Sequence, residues 1–267
     1  MYVDTHCHLN FNLFEQDLDQ VLQRAWEHGL QRILVPAIDL ATSRQVVALS
    51  EKDSRLYAAV GVHPNDASSW QTHTLDELRE LACHPRVVAI GEIGLDYYRD
   101  RAPRELQQQV LLAQLELAVE TGKPVVIHAR EALSDLWPML SSWQTALAGL
   151  QASLAERPGV LHSFDGSLED AQRALAHGFL LGITGPVTYR NAPARQQLVA
   201  ALPLAGLLLE TDAPFLTPHP HRGKRNEPAY IPLIAEKIAE LQALPLSVIA
   251  ATTTSNANRL FGWRSDL

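Results

Sequence analysis

His6 and His8 stand two residues apart in the opening stretch MYVDTHCH, with Asp4 two residues before them. In an extended strand alternate side chains share a face, so Asp4, His6 and His8 point one way and Thr5 and Cys7 the other. Two imidazoles at that spacing can close on one metal ion. Taken alone the pair is a weak signal, equally readable as two histidines near a loose N-terminus. More residues of the same chemistry follow at the ends of apolar runs: His63, Glu92, His128, His162, and Glu210 with Asp212. Each by itself reads as a structural residue. Burying one at the end of each of six apolar runs without a partner is costly, and a shared metal centre explains them together.

Imidazole with carboxylate suits Zn, Mn, Fe or Co, and carboxylate with water suits Mg or Mn. His6, His8, Glu92 and Asp212 are expected around one ion. Glu92, His128 and His162 are expected around a second, with Glu92 bridging. Two ions a few ångströms apart can activate a water and clamp a phosphoryl group. Asp212 is expected both to ligate and to accept the proton of the attacking water, sharing the catalytic role with Glu92. Glu210 faces the same way and is expected to support the ligands without a chemical step. Asp4 is expected to be a structural partner and not a ligand.

These groups must be positioned by regular elements. Apolar, β-branched runs span residues 1–8, 31–38, 56–63, 87–94, 124–130, 159–164, 179–185 and 207–212. Between and after them lie helical patterns at 14–28, 40–51, 75–83, 103–121, 132–156, 168–177, 192–201, 231–241 and 247–261. Near-continuous apolar runs such as VVAIG and PVVIH are the signature of buried parallel strands. Eight strands alternating with helices predict an α/β fold, a single (β/α)8 TIM barrel over residues 1–267, with the site at the C-terminal strand ends. The competing architecture is an open doubly wound sheet, but no Gly-x-Gly-x-x-Gly follows the first strand. Ala148 and Gly149 are expected to break the long helix over 132–156.

Composition narrows the function further. At 267 residues and 46% hydrophobic, the chain can bury a large core. A net charge of −8 argues against a surface that coats nucleic acid generally, while leaving room for a local phosphate pocket. Two distant cysteines, no signal-peptide pattern and no apolar run of membrane-spanning length predict a cytoplasmic protein without disulfides.

Seven stretches together resemble the TatD family of metal-dependent hydrolases, within the amidohydrolase-like barrels. They are Asp-x-His-x-His-Leu at 4–9, Gly-Val-His-Pro at 61–64, Gly-Glu-Ile-Gly-Leu-Asp-Tyr-Tyr at 91–98, Val-Ile-His-Ala-Arg at 126–130, His-Ser-Phe from His162, Glu-Thr-Asp-Ala-Pro-Phe at 210–215, and Arg-Gly-Lys-Arg-Asn-Glu-Pro at 222–228. The resemblance covers essentially the whole chain. It implies a (β/α)8 barrel, one or two divalent ions per subunit (Zn, Mg or Mn) and a deoxyribonuclease activity. It also implies that His6, His8, Glu92, His128, His162 and Asp212 are metal ligands and that His63 is a pocket histidine outside the ligand set. One departure concerns His128 and His162, which lie 34 residues apart, longer than the family pattern. The excess falls at 141–157 and is expected to reshape the pocket rim.

Substrate contacts are expected from His63, Arg130 and the basic loop Arg222, Lys224 and Arg225, since guanidinium and ammonium suit phosphate oxygens. The alternative for that loop is a solvated stretch paired with surface carboxylates. His219 and His221 repeat the His-x-His spacing among prolines and read as solvated. Tyr97 and Tyr98 can stack on a base or cap the barrel rim. The expected function is hydrolysis of a phosphoester, a deoxyribonuclease working from DNA ends, as a monomer with no obligate protein partner and no membrane. The alternatives are the same barrel hydrolysing a small ester, lactone or amide, or a non-catalytic metal-binding protein.

Overall fold

The computed structural model describes residues 1–99 and 101–263. Its strands are β1 Tyr2–Asp4, β2 Leu30–Pro36, β3 Leu56–Val60, β4 Val87–Asp96, β5 Val125–Arg130, β6 Gly159–Leu161, β7 Leu180–Ile183 and β8 Leu207–Leu209. The helices are α1 Leu18–Glu27, α2 Leu40–Ser50, α3 Thr74–Ala82, α4 Arg104–Thr121, α5 Leu133–Leu150, α6 Ala152–Ala155, α7 Leu168–Ala176, α8 Pro193–Ala201, α9 Ile231–Gln242 and α10 Leu246–Phe261. The strands pair in parallel in the order β1 to β8. Thr5 N–H donates to Leu209 O at 3.0 Å, Asp212 N–H donates to His6 O at 2.9 Å, and Cys7 bridges Ala213 in parallel, so the last strand returns to the first. The sheet is the predicted α/β barrel.

Local sequence accounts for the helices. Val21, Leu22 and Ala25 of α1 fall on one face and are buried. Asp39 with Thr42 caps α2, and Ser167 with Asp170 caps α7, each pair satisfying otherwise free backbone N–H groups. Val3, Leu34, Tyr57, Val88, Val126, Val160, Leu180 and Leu208, one residue from each strand, form one apolar cluster with Ala257, Leu260, Phe261 and Trp263. That cluster fills the barrel interior and is closed at the N-terminal strand ends by the end of α10.

Six strands, β1, β2, β3, β6, β7 and β8, stop earlier than their apolar runs suggest. β1, β6 and β8 leave the ladder before His6, His162 and Asp212. Ser163 (φ 45°) and Asp212 (φ 54°) then adopt left-handed backbone just past the ends of β6 and β8. The helix expected over 14–28 is a 3-10 turn at Asn12–Phe14 followed by α1. The break in the fifth helix falls at Gln151, two residues beyond Gly149. The excess at 141–157 is the second half of α5 with α6. These run down to the start of β6, and Arg157 donates to Leu260 O at 2.7 Å. The segment packs at the closed end of the barrel, so the expected reshaping of the rim is wrong: length added after mid-helix emerges at the end opposite the site.

Candidate metal centre

β1 and its continuation deliver His6 and His8 as alternation predicts: their Nε2 atoms meet at 3.2 Å. Glu92, from the fully buried β4, places Oε2 3.4 Å from His6 Nε2 and 3.7 Å from His8 Nε2. Asp212 Oδ1 stands 3.8 and 3.7 Å from the same two nitrogens. Donor atoms around a tetrahedral ion with bonds of about 2.0–2.1 Å lie roughly 3.3–3.4 Å apart, and these spacings bracket that value. Two neutral nitrogens and two carboxylate oxygens converging on one point at that separation fit a divalent cation.

The other oxygen of Glu92 faces a different set. Oε1 lies 2.9 Å from His128 Nδ1, 3.7 Å from His63 Nε2 and 4.0 Å from His162 Nε2. His162 Nε2 also lies 3.7 Å from Asp212 Oδ1, and its ring stacks on His6 at 3.5 Å. The six expected ligands therefore share one pocket, with Glu92 between two donor groups. His63 joins the second group with Glu92 and His128. Its Nδ1 accepts the Asn65 backbone N–H at 3.1 Å, so its neutral ring carries the proton on Nε2 and presents a donor to the pocket.

Carboxylates behind the rings hold them in place. His128 Nε2 bonds Asp96 Oδ2 at 3.1 Å, and His162 Nδ1 bonds Glu210 Oε2 at 2.9 Å. A ligand imidazole held by a carboxylate on its far nitrogen is oriented and made more basic. Asp96 stands four residues after Glu92 in the 91–98 stretch, on the same face of an extended strand, and that shared alternation is the signal for its role. Gly182 of β7 is where the fold makes room for Glu210, because a Cβ there would lie 2.0 Å from the carboxylate. Asp4 accepts from the Thr211 N–H at 3.0 Å and from the Thr211 hydroxyl at 2.5 Å, locking β1 to β8 as a structural partner.

Electrostatics set the protonation states. Burial, with His162 beside it, holds His6 well below its usual range, and burial brings His8 to about 4. Burial pushes Glu92 up, but His6, His63 and the His128 hydrogen bond outweigh it and keep it ionised. Burial pulls His128 and His162 down, yet Asp96 with Glu92 lifts the first to about 9, and Glu210 with Asp212 lifts the second to about 10. Burial raises Asp212 to about 7. Without a cation, the protons on His128 and His162 neutralise the pocket's carboxylates.

The chain matches the family described as TatD related DNase over residues 3–262. It belongs to the TatD family. A relative from Bacillus subtilis, an uncharacterized metal-dependent hydrolase named YabD, is 41% identical over 98% of this chain and 99% of its own. The 3'-5' ssDNA/RNA exonuclease TatD of Escherichia coli is 37% identical over 97% and 98%. The crystal structure of YjjV, a TatD homologue from Escherichia coli, superposes with a TM-score of 0.90 at 36% identity, covering 98% of both chains. This TatD protein is a metal-dependent hydrolase, and its divalent-metal chemistry agrees with the donor pocket.

The expected substrate contacts divide. Arg130 ends β5, level with Asp96, and its guanidinium lies 3.8 Å over the exposed Tyr98 ring. Arg222 and Lys224 are exposed, Arg222 packing 4.3 Å over Tyr189. Arg225 is a correction. It grips both oxygens of Asp17, at 2.7 and 2.6 Å, and the Leu13 carbonyl at 2.6 Å, so its guanidinium is committed to structure and not to phosphate. Glu227 pairs with Arg24, and Asn226 donates to Thr211 O and Phe215 O, so the loop is pinned over the last strand. Tyr97 bonds Asp135 and caps the rim, which leaves Tyr98 as the exposed ring of that pair. His221 stacks on Tyr230 and His219 is exposed; among the described residues neither joins a donor group. Cys7 is buried in the core. Sequence reasoning missed Phe11 and Phe215. Phe11 stacks on the His8 ring at 4.7 Å, and Phe215 meets Phe11 at 6.0 Å.

Proposed function

We propose that this chain is a metal-dependent exonuclease that hydrolyses the terminal phosphodiester of a single nucleic-acid strand. The observation that carries the reading is the split carboxylate of Glu92: one oxygen faces His6 and His8, the other His128, His63 and His162. His6, His8, Glu92 and Asp212 would hold one ion. Glu92, His128 and His162 would hold a second. Divalent metal there supplies Lewis-acid charge to the phosphoryl group and lowers the pKa of the attacking water.

The remaining steps belong to the protein. Asp212 takes the proton of the attacking water and returns it to the leaving sugar oxygen as the P–O bond breaks. His63 donates a hydrogen bond from its Nε2–H to a phosphoryl oxygen, and Arg130 pairs with a phosphate at the rim. Arg222 and Lys224 stand outside and draw in the backbone that follows. One pocket and a short basic loop suit a chain end better than a long stretch of duplex, as the net charge of −8 also argues. The relatives named 3'-5' ssDNA/RNA exonuclease support a 3' end.

The test is Glu92→Ala, assayed on single-stranded DNA with Mg, Mn or Zn added, beside a metal count on the purified protein. The variant should lose turnover by several orders of magnitude and hold less metal while keeping its fold by circular dichroism. Full activity in that variant would overturn the mechanism. Turnover by the wild type of carboxylic esters or lactones, and of no oligonucleotide, would overturn the substrate.

A further inference from the structure

Phe11 and Phe215 form an aromatic corner at the mouth of the pocket that the hydrolysis itself leaves unexplained. Phe215 is 48% exposed although it follows the buried strand that ends in the donor set. Its ring lies 6.5 Å from the His8 ring and meets Phe11 at 6.0 Å with the planes inclined by 73°. Leu13, also exposed, lies on the same turn as Phe11.

A single exposed phenylalanine is ordinary. Here two rings touch, and both stand beside a residue of the donor set. The backbone at or beside each is also tied down. Phe215 N–H donates to Asp212 O at 2.8 Å, and its carbonyl accepts from Asn226 at 2.6 Å. Phe11 is fixed by its stack on His8, and Arg225 ties down the Leu13 carbonyl next in the turn. A backbone fixed in advance leaves less to order when a ligand arrives.

Resting on the exonuclease reading, we infer that Phe11 and Phe215 hold the terminal base of the strand and so select ends that are unpaired. The corner is neutral and flat-sided. Phosphate and sugar gain little against it, whereas every base has a π-face to stack there. Its distance from His8 places that base within one nucleotide of the phosphate at the donor set. A base in a duplex must first give up its own pairing and stacking to reach the rings, which disfavours duplex ends.

The experiment compares oligonucleotides with a normal and an abasic terminal residue, each single-stranded or blunt duplex, on wild type, Phe215→Ala, Phe215→Leu and Phe215→Trp. Stacking lost to alanine weakens binding by a factor of about 5 to 160, so the wild type should prefer the base-bearing single strand by about tenfold, mainly through KM. Alanine should erase that preference. Leucine, which keeps apolar bulk without the π-face, should restore little, and tryptophan should restore most. Equal use of abasic and base-bearing ends by the wild type, or an unchanged preference in Phe215→Ala of wild-type melting temperature, would overturn the corner's role while leaving the nuclease standing. A wild type that hydrolyses no oligonucleotide with metal present overturns both.

Discussion

Asp96 and Glu210 do for their histidines what neither could do from solution. Each takes the nitrogen that faces away from the pocket, leaving His128 Nδ1 and His162 Nε2 aimed inward. Loss of such a carboxylate typically costs about 10- to 100-fold in metal affinity. Glu210→Gln should therefore lower metal affinity by that factor, read by calorimetry, with its far-ultraviolet spectrum unchanged. The same two histidines set a pH dependence. Their pKa values rise from 6.5 to about 9 and about 10 in the metal-free pocket, so the protonated rings stabilise the fold fully below 6.5. That contribution fades as pH climbs from 6.5 through those values, and the melting temperature in chelator should fall over the same window. Metal needs the neutral rings, so its apparent affinity should move the other way and proton release should accompany binding. Calorimetry in buffers of different ionisation enthalpy measures both.

At the scale of elements, the basic loop after β8 is a clasp. Arg225 with Asp17 and Glu227 with Arg24 join it to the turn that carries Phe11 and to α1. The Arg225 hydrogen bond, chiefly, holds the Asp17 carboxyl below its ordinary 3.8. A depressed carboxyl stabilises above its unfolded value and loses that effect as pH falls through the folded one. Arg225→Ala should cost roughly 1 kcal/mol at neutral pH, and the gap in melting temperature to the wild type should narrow as pH falls below 3.8. Equal gaps on both sides of that value would show that the pair contributes nothing. This clasp was invisible in the sequence, because Asp17 lies 208 residues from Arg225 and composition marks both only as charged. What was legible had a period or a position. Apolar runs gave the eight strands, and polar residues at their ends gave His6, His8, Glu92, His128, His162 and Asp212. Phe11 and Phe215 escaped because their contact exists only after β8 returns to β1. The left-handed turns at Ser163 and Asp212 escaped because neither residue is glycine.

For the whole molecule, the donor set is a cross-brace. Its residues come from β1, β4, β5, β6 and β8 or the turns directly after them, so any ion they share joins opposite walls of the barrel. Among the described residues the closing seam between β1 and β8 is short: a few backbone bonds, the Thr5 hydroxyl on Leu209 O and Glu210 Oε1, the Asp4–Thr211 pair and the Cys7–Ala213 bridge. An ion held by His6, His8 and Asp212 would fasten that seam from the pocket side. Ligand at a hundred times its dissociation constant stabilises by about 2.7 kcal/mol, and each kcal/mol shifts the melting temperature of a chain near this size by about 2–4 °C. Saturating metal should thus raise the melting temperature by about 5–11 °C over protein in chelator. His8→Ala, which removes one donor beside the seam, should shrink that rise. Removal of residues 1–8 deletes β1 along with both histidines, so that chain should neither melt cooperatively nor bind metal. A truncated chain that folded and still bound two ions would place the cross-brace elsewhere.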